Sequence, residues 1–221
     1  MSNLDRLNAR RRRGDEPFCD GDRFLGVDLL SFWQWSASDL VSNATRGVLA
    51  EYIVAVAVGA ADGVRKEWMP YDILDPRGIR IEVKSAAFVQ TWKQNRLSTI
   101  SFAYPKTRAW DDATNTQSAD RKRHADVYVF ALLAHKDKAS INPLDMAQWQ
   151  FFVVPTIDLD RRKRSQHSIT LPSLQQLAGD PIPYANLYSA IAEAAARHRA
   201  SSEAVSGSSR GGLPPAPKLE G

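Results

Sequence analysis

Three observations predict an α/β domain. Residues 44–58 form a helix that is apolar nearly all round, residues 71–84 read as two short strands around a turn, and residues 127–133 and 149–155 are apolar enough for buried strands. The 221 residues, 43% of them hydrophobic, supply material for one core. The organisation expected is a flexible basic arm over 1–22, one domain over 23–199, and a disordered tail over 200–221 where Ser, Gly and Pro dominate. No run of 18 apolar residues exists, so no membrane partner is expected, and the basic start lacks the apolar stretch of a signal peptide. One cysteine, Cys19, excludes a disulfide framework and a cysteine zinc site, which suits a reducing, cytoplasmic setting. A net charge of +4 and a pI near 9.3 permit nucleic-acid binding without demanding it.

The arm carries Arg10, Arg11, Arg12 and Arg13, which could contact phosphates. Leu29, Leu30, Phe32, Trp33, Trp35 and Leu40 follow on a short helix and loop, where they are expected to pack over the core. Ser42 or Asn43 caps the next helix and Gly59 stops it. Because its flanks are apolar, that helix should be largely buried. Glu51 sits in it with Val48, Gly47, Val54 and Ala55 as its helical neighbours, so no ion pair within the helix is open to it. It either faces the acidic cluster described below or pairs with a distant cation such as Arg46, Arg65 or Lys84.

Within the hairpin, Asp75-Pro76-Arg77-Gly78 has the residues of a type I turn, with Gly78 able to take the left-handed conformation that closes a three-residue loop. If Asp75 pairs with Ile79, Asp72 lies opposite Glu82. Alternation then puts Asp72, Glu82 and Lys84 on one face and Tyr71, Ile73, Ile79, Ile81 and Val83 on the other. Two carboxylates about 5 Å apart across a hairpin repel unless something positive lies between them. Oxygen ligands suit a hard ion such as Mg²⁺, with Mn²⁺ able to substitute, and a lysine beside it can orient water or offset charge on a phosphate. The constellation is that of metal-assisted phosphodiester hydrolysis.

These residues resemble the PD-(D/E)xK nuclease superfamily: Asp72 matches its first acidic position and Glu82-Val83-Lys84 its second half-motif. The literal proline–aspartate pair is absent, since Tyr71 stands between Pro70 and Asp72. The resemblance implies a restriction-endonuclease-like fold, a central mixed sheet flanked by helices. It also implies metal ligation by Asp72, Glu82 and the Val83 carbonyl, with Glu51 as the upstream helical glutamate and an accessory ligand. Lys84 would activate water, Gln90 would match a glutamine that follows the lysine in some branches, and Ser85 would contact phosphate. A role in bacterial defence or a mobile element, and a homodimer or partner protein for cutting both strands, follow from the same resemblance.

Leu97 to Tyr104 alternates as a third strand, and residues 105–124 form a long polar loop. Its Arg108, Trp110, Arg121, Lys122 and Arg123 could clamp DNA and stack on a base, whereas His124 reads as a surface residue. Arg161, Arg162, Lys163 and Arg164 could grip the phosphate backbone. An edge strand near 168–171, a short helix from Pro172 and a final Ala-rich helix over 183–199 complete the chain. The expected function is Mg²⁺-dependent DNA cleavage. The rivals are an idle nucleic-acid-binding module with the same fold and an RNA-processing nuclease.

Overall fold

The computed structural model describes residues 7–67, 69–111 and 114–208. It begins with a hairpin, β1 (Pro17–Asp20) and β2 (Arg23–Asp28), followed by α1 (Leu29–Ala37). The arm expected over 1–22 therefore contains a strand. Asp28 caps α1 by accepting from Ser31 N–H. The aromatic residues here do not cover the core: Phe24 is 59% and Trp35 84% exposed, and α1 buries no residue, because the hairpin pairs only with itself.

Ser42 caps α2 (Asn43–Ala57), and Gly59 leaves it at a positive φ of 71°, as the cap and stop residues predict. Only Arg46, Ala50, Ile53 and Val54 are buried on α2. Val48, Tyr52 and Val56 stay exposed, so the expectation of near-complete burial fails: α2 has the sheet on one side only.

The central sheet runs β3 (Ile73–Leu74), β4 (Arg80–Ala87), β8 (Val127–Leu133), β9 (Trp149–Pro155), with three short strands, β5 (Ser101–Ala103), β6 (Trp110–Asp111) and β7 (Thr116–Gln117), between β4 and β8 in the chain. β3–β4 and β8–β9 are antiparallel and β4–β8 is parallel, so the sheet is mixed. Alternation splits its side chains between two clusters. Ile81, Val83, Val127, Val129 and Phe151 meet Ile53 and Val54 of α2 and Ile191 of α5 (Leu187–Ser208) on one face. Ala86, Tyr128, Phe130 and Phe152 meet Phe102, Leu159 of α3 (Thr156–Arg161) and Leu174 of α4 (Leu171–Ala178) on the other. Tyr71 packs with this second cluster rather than beside Ile73, since β3 begins only two residues later.

The expected third strand survives as β5 but stands outside the main sheet, paired with β10 (Ser168–Thr170). α5 continues to Ser208, past the expected end of order at 199; residues 209–221 of the expected tail lie outside the described residues. Among the described residues no helix is long and apolar enough to cross a membrane.

Candidate active site

The turn closes as its residues predict. Gly78 takes φ 79°, Asp75 N–H bonds the Ile79 carbonyl at 3.0 Å, and Ile73 pairs with Ile81 and Leu74 with Arg80. The register places Asp72 across from Glu82. Its Oδ2 accepts the Val83 backbone N–H at 2.7 Å, which pins the carboxylate over the β4 edge just where β3 gives out. Because a strand residue directs its N–H and C=O to the same neighbour, the Val83 carbonyl also leaves on the Asp72 side. Lys84 Nζ bonds Glu82 Oε1 at 2.5 Å.

The electrostatics follow from this crowding. Burial, reinforced by Glu82 and Glu51 and opposed by Lys84 and the Val83 N–H, pushes the Asp72 pKa up to about 7. Burial alone would lower Lys84, but Glu82, Asp72 and Glu51 outweigh it and hold the ammonium above its ordinary pKa. Tyr128, paired with Glu82 in the parallel register, is raised by burial and by that carboxylate. The cluster is therefore short of positive charge, with one lysine set against two adjacent carboxylates.

Glu51 lines a hollow together with Asp72, and Arg65, in the loop after α2, bonds both its oxygens at 2.5 and 3.0 Å while its field reaches Asp72 and Lys84. Among the described residues no three His, Cys, Asp or Glu side chains gather as a metal-holding group. Two carboxylates and a carbonyl still fit Mg²⁺, which keeps several waters and takes substrate phosphate oxygens for the rest.

Ser85 and Gln90 both line a hollow beside Lys84 and both bond Arg46. Ser85 Oγ accepts from Arg46 Nε at 2.9 Å, and the buried Gln90 takes a long 3.5 Å contact from Arg46 and donates to the Ala87 carbonyl at 2.9 Å. Both are companions of Arg46, which pairs with them and not with Glu51. Five residues separate the two on α2, about 140° around the helix, so that pairing was closed from the start. The signal is a lone arginine on the helix face that also carries Ala50, Ile53 and Val54.

Of the expected nucleic-acid contacts, Arg108, Trp110, Arg121, Lys122, Arg161, Lys163 and Arg164 are exposed. Arg123 is not: it is buried, paired with Asp160, bonded to the Gln166 carbonyl at 2.8 Å and laid 4.7 Å from the centre of the Tyr104 ring. Arg162 is half-buried and donates to the Tyr104 hydroxyl and the Ser165 carbonyl. His124, expected at the surface, is buried against the Thr107 carbonyl at 3.0 Å.

Two hollows flank the cluster. One, of about 540 Å³, is lined by Asp72, Glu51, Arg65, Tyr52 and Tyr71. The other, of about 380 Å³, is lined by Lys84, Arg46, Asn43, Ser85 and Thr99. The family model described as bacteriophage T4 endonuclease IV matches residues 29–172, a span that holds every residue of the cluster. No curated protein matches the chain.

Proposed function

This chain belongs to the bacteriophage T4 endonuclease IV family, and from that premise we propose that it is a Mg²⁺-dependent endonuclease hydrolysing DNA phosphodiester bonds through a PD-(D/E)xK-type site. The observation that carries the reading is Asp72 held across from Glu82, with Lys84 bonded to Glu82. Such an arrangement destabilises the hairpin unless a further cation relieves it. Asp72, Glu82 and the Val83 carbonyl would hold Mg²⁺, or Mn²⁺ in its place. When bound, the ion supplies Lewis acidity at a phosphate oxygen and a readily deprotonated water.

The protein's own groups do the rest. Asp72 sheds its proton near neutral pH and becomes available as a ligand. Lys84, kept charged by its neighbours, orients the attacking water and offsets charge building on the phosphate. The water gives a proton to solvent as its oxygen bonds to phosphorus in line, the bond to the 3′ oxygen breaks, and that oxygen takes up a proton from solvent, leaving a 5′-phosphate and a 3′-hydroxyl. Glu51 acts through its field alone, its oxygens being held by Arg65. The restriction-endonuclease-like fold, a cytoplasmic place in bacterial defence or a mobile element, and a dimer or partner protein for duplex cutting belong to the same proposal.

The test is cleavage of supercoiled plasmid, linear duplex and single-stranded DNA in Mg²⁺, Mn²⁺ or EDTA, with Lys84→Ala beside the wild type. Metal-dependent cutting that falls about 10³-fold or more in Lys84→Ala is expected. DNA binding with no cutting on any substrate would sink the reading in favour of an idle module, and preferential cutting of RNA would redirect it.

A further inference from the structure

Arg46 is 3% exposed, and its recorded partners are all neutral oxygens: Ser85 Oγ at 2.9 Å, the Val41 carbonyl at 2.8 Å, Asn43 Oδ1 at 2.8 Å and Gln90 Oε1 at 3.5 Å. Among the described residues it forms no ion pair. A guanidinium has five N–H groups, so four acceptors, one of them distant, leave it donor capacity in hand. Burying a full charge among neutral partners is costly unless an anion completes the site. Burial lowers the pKa of Arg46 and no carboxylate offsets the shift.

The hollow beside it has the complementary chemistry. Its lining holds two cations, Arg46 and Lys84, a set of hydroxyls from Ser85, Ser98, Thr99 and Ser101, and no carboxylate at all. At about 380 Å³ it has room for a phosphate with part of its sugar. The hollow on the other side of the cluster differs in mixing two carboxylates, Glu51 and Asp72, with Arg11, Arg65 and Lys66. Guanidinium suits phosphate because its planar fork can meet two oxygens at once. Lys84 lines this hollow and also bonds Glu82, so an anion seated here lies next to the reacting centre.

We propose that the hollow lined by Arg46, Lys84, Ser85 and Thr99 is a phosphate-binding subsite for the nucleic-acid strand, with Arg46 as its charged ligand and Ser85 and Gln90 as the residues that position it. The identity of the occupant rests on the nuclease reading; the affinity for phosphate does not. The subsite holds a phosphate neighbouring the scissile one and fixes the strand's register across the carboxylates.

The experiment measures binding of labelled oligonucleotides to the full chain by fluorescence anisotropy in EDTA across a salt series, so that no cutting is needed. Arg46→Gln is expected to weaken binding about tenfold and to lower the slope of log affinity against log salt by roughly 0.7–0.9, one phosphate contact, with Arg46→Lys recovering part of both. Thr99→Glu places a carboxylate in the hollow while leaving Arg46 and its partners intact, and should weaken binding at least as much. Oligonucleotides with and without a 5′-phosphate tell an internal phosphate from a terminal one. An unchanged slope in Arg46→Gln together with unchanged binding in Thr99→Glu overturns the subsite, even if wild type cuts DNA. Wild type that binds no oligonucleotide at low salt removes the occupant. A Lys84→Ala protein that no longer cuts yet keeps the Arg46-dependent slope separates this site from the chemistry.

Discussion

Arg46 and Arg123 are both buried guanidinium groups, and the molecule treats them in opposite ways. Around Arg123 the chain closes every account but one: Asp160 supplies the opposite charge, the Gln166 side chain and the carbonyls of Tyr104 and Gln166 take its hydrogens, and the Tyr104 ring covers it, with only Nε left over. Around Arg46 the partners are neutral and a hollow opens alongside. The lesson is that burial alone does not tell a structural arginine from a binding one. What tells them apart is whether the protein itself supplies the anion.

The largest effect expected from this contrast is on stability. Arg123→Met should cost about 3 kcal/mol, or roughly 10 °C of Tm, by stranding two carbonyls, while the salt slope of DNA binding stays at its wild-type value. Thermal unfolding and the anisotropy series on one preparation check both halves. If Arg46→Gln lowers Tm as much as Arg123→Met and leaves the slope alone, the contrast collapses and Arg46 is a brace like its counterpart.

Asp72 sharpens the comparison from the acidic side, as a half-buried carboxylate that faces Glu82 and feels Lys84, which is bonded to Glu82. Its folded pKa of about 7 lies above the ordinary 3.8, so the folded state binds the extra proton and metal-free stability falls as pH rises from about 4 to 7. Asp72→Asn, which can still accept the Val83 N–H, should therefore unfold roughly 5 °C higher than wild type at pH 8 in EDTA. Below pH 4 the two curves should coincide. A difference that persists at low pH would mean that something other than ionisation separates them.

The smallest effect belongs to Glu51 and Arg65, a pair compensated and partly in water, with Arg65 39% exposed. A double-mutant cycle of Glu51→Gln and Arg65→Gln should return a coupling of about 0.5–1 kcal/mol in thermal unfolding. Cleavage by Glu51→Gln should fall only a few-fold. A loss as deep as that of Lys84→Ala would return Glu51 to the ligand set.

What the sequence made legible was whatever local chemistry decides. The hairpin register follows from Asp75, Pro76 and Gly78, all within one turn, and α2 from Ser42 and Gly59 at its two ends. What it hid depends on neighbours far along the chain. Arg123 looks like its exposed neighbours Arg121 and Lys122 until Asp160, 37 positions away, reaches it. Arg46 acquires its meaning from Ser85 and Gln90, 39 and 44 positions on. The aromatic residues of β2 and α1 carry the composition of a core, and composition cannot say that no second layer covers them.

The parallel pairing of β4 with β8 also sets an order of assembly. Asp72 and Val83 are 11 positions apart and meet through a local turn, whereas Arg80 and Asp126, which join β4 to the start of β8, are 46 apart. Closing the longer loop costs roughly 1 kcal/mol more chain entropy. The hairpin can therefore form first, with Asp72 and Glu82 still hydrated and weakly repelling. When β8 arrives and Tyr128 settles beside Glu82, the two carboxylates are partly withdrawn from water. A cation bound there as proposed would relieve the repulsion that β8 otherwise confines.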